Sequence, residues 1–174
     1  MSGTNPYESI GKIVVPVEDF MDTEGFDSVV APIKHPFLPD GDIIFFGPKD
    51  FGKTTKLLCA LLAWGYNFGH IVFCCPHVHP SKLARPATKS VAKYKVLEDF
   101  DNITLIGMET DNSPDEAHEV IERGFDVLEE KKDECDGQLL LVLDDLAAFL
   151  CYNPIKTMLT SKWVNLKHLR AYGW

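Results

Sequence analysis

Asp42-Ile-Ile-Phe-Phe-Gly47-Pro-Lys-Asp-Phe-Gly52-Lys53-Thr54-Thr55 is the stretch on which the fold turns. Its first half is a short apolar run of the length of a strand buried on both faces. Its second half, Gly47, Pro48, Lys49, Asp50, Phe51, Gly52, Lys53, Thr54, matches G-x-x-x-x-G-K-[ST] at every fixed position. From Gly52 to Tyr66 the composition is that of a helix. The strand, glycine-bounded loop and helix occur in the order that phosphate binding requires. Such a loop wraps a phosphate in backbone N–H groups, and the helix N-terminus adds its positive dipole end. Residues 47–55 are therefore the candidate nucleotide-binding residues. Lys53 offers a point charge to the β/γ phosphates, and Thr54 offers a hydroxyl to Mg²⁺.

A second apolar run, Leu139-Leu-Leu-Val-Leu143, ends in Asp144-Asp145. In open α/β sheets ligands bind beyond the carboxyl ends of strands, so these acids belong with the loop. Asp144 is the candidate metal residue beside Thr54. Asp145 is the candidate general base, which together with Lys53 makes the catalytic pair. No Asn-Lys-x-Asp segment reads guanine, so ATP is the expected nucleotide and Mg²⁺ the expected ion.

Between these motifs lie further elements. His70–Cys75 reads as a strand stopped by Pro76, and 102–106 as another. Ser113-Pro-Asp-Glu116 reads as a helix start, with Ser113 as N-cap, Pro114 at the first helical position and Glu116 completing a capping box. Ala117, Val120, Ile121, Phe125 and Leu128 follow at helical spacing, and the helix is expected to run to Asp136-Gly137. Asn153-Pro154 opens a short helix of about two turns, to Trp163. Fully apolar strands alternating with helices predict a mainly parallel α/β sheet. Residues 1–41, rich in proline and acid and containing the strand-like run 12–17, read as an extended N-terminal arm. Residues 42–174 read as one domain.

The chain has 174 residues and a net charge of −9, which argues against a monomer that coats itself on nucleic acid. Charge is nevertheless segregated. Residues 81–97 carry five basic groups (Lys82, Arg85, Lys89, Lys93, Lys95) and no acid, and residues 98–145 carry three basic and 17 acidic groups. One basic face can follow phosphates without reading sequence, which makes Lys89 and Lys93 candidate contacts to double-stranded DNA. A solvated surface accounts for the same charges. Cys74, Cys75, His77 and His79 are of metal-ligand type but lie within one short segment, whereas closed zinc sites draw on separated pairs. His77 and His79 are better read as groups near a substrate or DNA. Trp64, Trp163 and Trp174 read as packing residues. Five irregularly spaced cysteines and no signal-like N-terminus point to reduced thiols inside a cell, and no apolar stretch has the length of a membrane span.

The phosphate loop, the segment His70-Ile-Val-Phe-Cys-Cys-Pro76 with Pro80, the run Leu139–Leu146 and Asn165-Leu-Lys-His168 together resemble the genome-packaging ATPases of poxviruses and other large double-stranded DNA viruses. These belong to the FtsK–HerA superfamily of P-loop NTPases, and the resemblance covers roughly residues 42–172. It implies Mg-dependent ATP hydrolysis coupled to DNA translocation. It also implies a homo-oligomeric ring around DNA, capsid proteins as partners, and a location in the host cytoplasm, a viral factory or the virion. A positive residue would reach a neighbour's nucleotide. Lys167 stands where the family has Arg, with His168 after it and Arg170 as a nearby substitute. The family continues into a further strand carrying a polar residue, so a central sheet one strand short is expected. Two alternatives share the loop. Gly47-Pro48 with Gly52–Leu58 also resembles type II thymidine kinases, but here Asp144-Asp-Leu-Ala-Ala stands where they have Asp-Glu-x-Gln-Phe, and there is no Cys-x-x-Cys. The other alternative is a virion or scaffold protein with a vestigial loop.

Overall fold

The computed structural model describes residues 42–44, 51–84, 89–110 and 112–174. The arm (1–41), most of the strand expected before the loop, Gly47, Pro48, Lys49, Asp50 and Arg85 lie outside the described residues.

Among the described residues four strands form one parallel sheet: β1 (His70–Cys74), β2 (Ile103–Ile106), β3 (Leu139–Leu143) and β4 (Ala171–Gly173). Their order is β2-β1-β3-β4, with Ile71 beside Ile103, His70 beside Leu139 and Leu139 beside Ala171. The expected α/β class and parallel sheet are present. β4 is an element that the residue pattern does not announce. It extends through Trp174, whose N–H donates to the Leu141 carbonyl at 2.8 Å and whose carbonyl accepts from Leu143 N–H at 2.8 Å. On the outer side of β4, Ile43 N–H donates to the Gly173 carbonyl at 2.9 Å. The segment entering the loop is thus separated from β3 by β4.

The helices are α1 (Lys53–Trp64), α2 (Pro80–Leu83), α3 (Lys89–Ala92), α4 (Pro114–Lys132) and α5 (Asn153–Trp163). A 3₁₀ stretch, Lys93–Asp99, continues α3. Strand side chains alternate between two apolar layers, as a two-period backbone dictates. Ile71, Phe73, Leu140 and Val142 pack with Leu57, Leu58 and Leu61 of α1 and with Tyr94 and Leu97. Val72, Leu139 and Leu141 pack with Ile121, Phe125 and Leu128 of α4 and with Ile155 of α5. The sheet is therefore covered on both faces, which explains why its strands are apolar throughout rather than alternating. Trp64 and Trp174 are buried in the α1 layer, and Phe68 meets Trp174 edge-on at 5.6 Å. Gly124 lets α4 lie close on β1, since a Cβ there would stand 2.7 Å from Cys74 Sγ. Among the described residues no helix is long and apolar enough to cross a membrane.

One helix boundary differs from expectation. α4 ends at Lys132, followed by turns through Gly137, whose φ is +98°. α5 has the expected bounds, Asn153 to Trp163, and its 11 residues make three turns rather than two.

Candidate functional site at the carboxyl edge of the sheet

From β1 the chain moves outward to β2, then crosses back over β1 to β3, so the direction of winding reverses between β1 and β3. At such a point the two connections leave to opposite faces and a crevice opens beyond the strand ends. The residues just past β1 and β3 meet there.

Asp144 follows β3 directly, and its N–H donates to the Cys74 carbonyl at 3.0 Å. Its side chain is buried. Oδ1 accepts from Thr54 Oγ1 at 3.2 Å across 90 residues of sequence, and Oδ2 accepts from the Tyr94 hydroxyl at 2.8 Å. Burial pushes the Asp144 carboxyl above the ordinary aspartate range. The Tyr94 hydroxyl, the Lys93 charge and the Thr54 hydroxyl pull the other way. Asp145 takes a left-handed backbone, φ +56°, which Asp tolerates better than most residues. Its Oδ2 lies 3.0 Å from His77 Nε2. That hydrogen bond, more than any other influence, holds the Asp145 carboxyl below its usual range, with the Lys93 and Lys53 charges adding to the effect.

Thr54 comes to Asp144 because α1 begins where the strands end. Its N-cap is Gly52 at φ +72°, a conformation with little penalty only for glycine. Lys53, Thr54 and Thr55 form the first turn of α1, where backbone N–H groups have no partner within the helix. The Phe51 ring is exposed. The structure thus brings together Lys53, Thr54, Asp144 and Asp145, which are four of the residues named from sequence.

Three more residues join them: Tyr94, which the sequence did not mark, and Lys93 and His77, which it marked for DNA or a substrate. Tyr94 is fully buried. It is flanked edge-on by Phe73 at 6.0 Å and stacked with His77 at 6.1 Å. Its burial, beside Asp144, drives its phenol pKa upward, so it remains a donor. Lys93, read from sequence as a DNA contact, stands with Nζ 4.8 Å from the centre of the Tyr94 ring, beside the two acids. Tyr94 sits between two lysines in a segment whose charge drew attention away from it. His77 carried a signal in its spacing from Cys75 and His79, but the grouping does not hold. His79 Nδ1 instead caps α2, accepting from Ser81 N–H at 3.3 Å. Cys74 faces the α4 layer, with Sγ donating to the Val120 carbonyl at 3.7 Å, while Cys75 faces the α1 layer. Burial pushes the Cys74 thiol up to about 12 and Cys75 higher still, so both stay protonated at neutral pH.

The remaining candidates lie elsewhere. Lys167, His168 and Arg170 precede β4 and so stand at the amino edge of the sheet, about 16 Å from Asp144 along the strand direction. Arg170, at φ +53°, donates to the Lys132 and Cys135 carbonyls at the end of α4. Within its own chain it therefore serves a helix terminus and not the crevice. Lys89 lies on α3, the helix that leads into Tyr94.

The crevice presents a helix N-terminus, a lysine, a hydroxyl and two carboxylates of unequal environment. Hard oxygen donors beside a cationic side chain suit a phosphate and a small divalent ion. The chain matches no protein-family model, and neither curated proteins nor solved structures give a match to it.

Proposed function

We propose that this crevice binds ATP with Mg²⁺ and hydrolyses it, in a P-loop NTPase domain that acts as a subunit of a double-stranded DNA-translocating ring in viral genome packaging. The observation that carries the nucleotide part is the hydrogen bond from Thr54 Oγ1, on the first turn of α1, to Asp144 Oδ1, at the end of β3. A fixed hydroxyl and a fixed carboxylate facing each other at a helix N-terminus supply the oxygen donors that a phosphate-bound magnesium takes. The ion, when bound, spreads the negative charge that develops on the phosphate oxygens. Lys53 neutralises the β/γ phosphates. Asp144 stays in place because Tyr94 donates to the oxygen that Thr54 leaves free. Asp145, held as a carboxylate, accepts a hydrogen bond from water and orients it for in-line attack.

The DNA part rests on the resemblance and on the all-basic charge of residues 81–97. A motor has to grip phosphates without reading bases, and such contacts come from Lys and Arg. A ring would bring Lys167 or Arg170 of one subunit toward the next subunit's nucleotide.

Steady-state ATP hydrolysis by the purified chain, with and without double-stranded DNA and with Lys53→Ala as the blank, tests both parts. Turnover that rises with DNA and disappears in Lys53→Ala is expected. Turnover indifferent to DNA removes the motor and leaves the nucleotidase. No turnover in either condition overturns the catalytic reading and makes thymidine phosphorylation the next assay.

A further inference from the structure

We propose that His77 is a positioning residue, holding the Asp145 carboxylate for the hydrolytic step, an inference that rests on the nucleotide-hydrolysis reading of the same crevice. Asp145 needs such a holder. Its side chain is 61% exposed, and its left-handed backbone carries it out of the strand direction. Left alone, the carboxylate would sample several rotamers. His77 Nε2 reaches Oδ2 at 3.0 Å. A carboxylate only accepts, so Nε2 carries the proton and donates.

The imidazole is itself held, by a ring contact and by the turn that carries it. Its ring lies on the Tyr94 ring at 29° between planes. Tyr94 is buried and tied by its hydroxyl to Asp144. The backbone around His77 is a tight turn, with Val78 N–H donating to the Cys75 carbonyl at 3.3 Å and Lys82 Nζ to the Pro76 carbonyl at 2.9 Å. One tyrosine therefore sets both acids, Asp144 through its hydroxyl and Asp145 through the histidine resting on its face. An exposed histidine–carboxylate pair adds little to stability. What this pair provides is orientation, at the point where the water-orienting group has to stand.

Two measurements on the full chain separate this inference from the reading beneath it. The first needs no nucleotide. In ¹⁵N NMR, His77 is expected to show a protonated Nε2 whose shift moves in Asp145→Asn. A signal unmoved by that change overturns the pair. The second is kinetic. His77→Ala should lower kcat for ATP about 10- to 100-fold, the range seen when a residue that orients a ligating group is lost. KM and nucleotide affinity should stay within about twofold, as expected when only the transition state loses an interaction. His77→Gln, whose amide can donate from the Nε2 position, should recover most of kcat. Unchanged kcat in His77→Ala, or no recovery in a folded His77→Gln, overturns the positioning role while Lys53 dependence persists. Wild-type turnover that survives Lys53→Ala, or is absent, overturns the hydrolysis reading and this role with it.

Discussion

Asp144 and Asp145 are adjacent in the chain, yet their surroundings move their carboxyls in opposite directions. Burial raises Asp144, and the His77 hydrogen bond lowers Asp145. The two consequences for stability have opposite sign. A carboxyl raised in the folded state binds protons more tightly there than in the unfolded chain. Asp144 therefore makes the fold less stable as pH climbs from the unfolded aspartate value of about 4 toward its folded value. A lowered carboxyl does the reverse. Asp145 contributes stability that is present above about pH 4 and is lost as pH falls through its folded value. Urea unfolding followed across this range should separate them. Asp144→Asn should flatten the decline on the alkaline side of pH 4 and leave the apo protein at least as stable at neutral pH. Asp145→Asn should flatten the loss on the acid side. Identical pH profiles for the two variants would show that their environments do not differ in this way. Both acids were legible from the sequence, because an apolar strand ending in carboxylates is a local pattern. Tyr94 was not, and His77 was legible only as a group near a substrate or DNA, without its partner. Their roles depend on which residues three-dimensional packing sets beside them, and nothing in the run Lys93-Tyr94-Lys95 marks the tyrosine as buried.

Helix ends show how far local chemistry reaches. Ser113 caps α4 as its sequence predicts, with Oγ accepting from Glu116 N–H at 3.2 Å. The reciprocal half of the box does not form. The Glu116 carboxylate turns instead to the preceding loop, accepting from Glu109 N–H, Thr110 N–H and the Thr110 hydroxyl. The Thr110 hydroxyl is the main reason its carboxyl lies below the ordinary range. Glu116 thus pins the exit of β2 to the helix that follows, which a four-residue motif does not reveal. Ser113→Ala should cost about 1 kcal/mol, the usual loss for an N-cap, read as a lower urea midpoint at constant m. Glu116→Ala should change that midpoint less and instead speed amide exchange at residues 109 and 110. Equal exchange at those amides in wild type and variant would remove the pinning role. β4 went unread for a related reason. Three residues, one of them Gly173, cannot display an alternating pattern. The strand exists because Leu139, Leu140 and Leu141 offer it a partner edge.

At the scale of the whole molecule, the legible features were the two covered faces and the parallel sheet, both dictated by uniformly apolar strands. The strand order was not legible, because apolar strands of similar length carry no label for their neighbours. That order creates the crevice, since reversal between β1 and β3 places the turn bearing His77 beside the acids that follow β3, and α1 starts above them. Thr54 reaches the two acids from the segment before β1, and His77 and Tyr94 reach them from the connection between β1 and β2. A ligand seated there contacts α1 and the ends of β1 and β3 at once, and none of these contacts survives unfolding. Binding must then stabilise the entire domain. At ATP–Mg²⁺ a hundredfold above its dissociation constant the gain is about 2.7 kcal/mol, or roughly 5 to 10 °C in Tm for a domain of this size. The rise should follow the logarithm of nucleotide concentration and vanish in Lys53→Ala. With Mg²⁺ chelated it should shrink, because Thr54 and Asp144 would then face phosphate oxygens without a cation between them. An unchanged Tm at saturating ATP–Mg²⁺ would mean that the crevice does not bind nucleotide, whatever the pattern of residues 47–54.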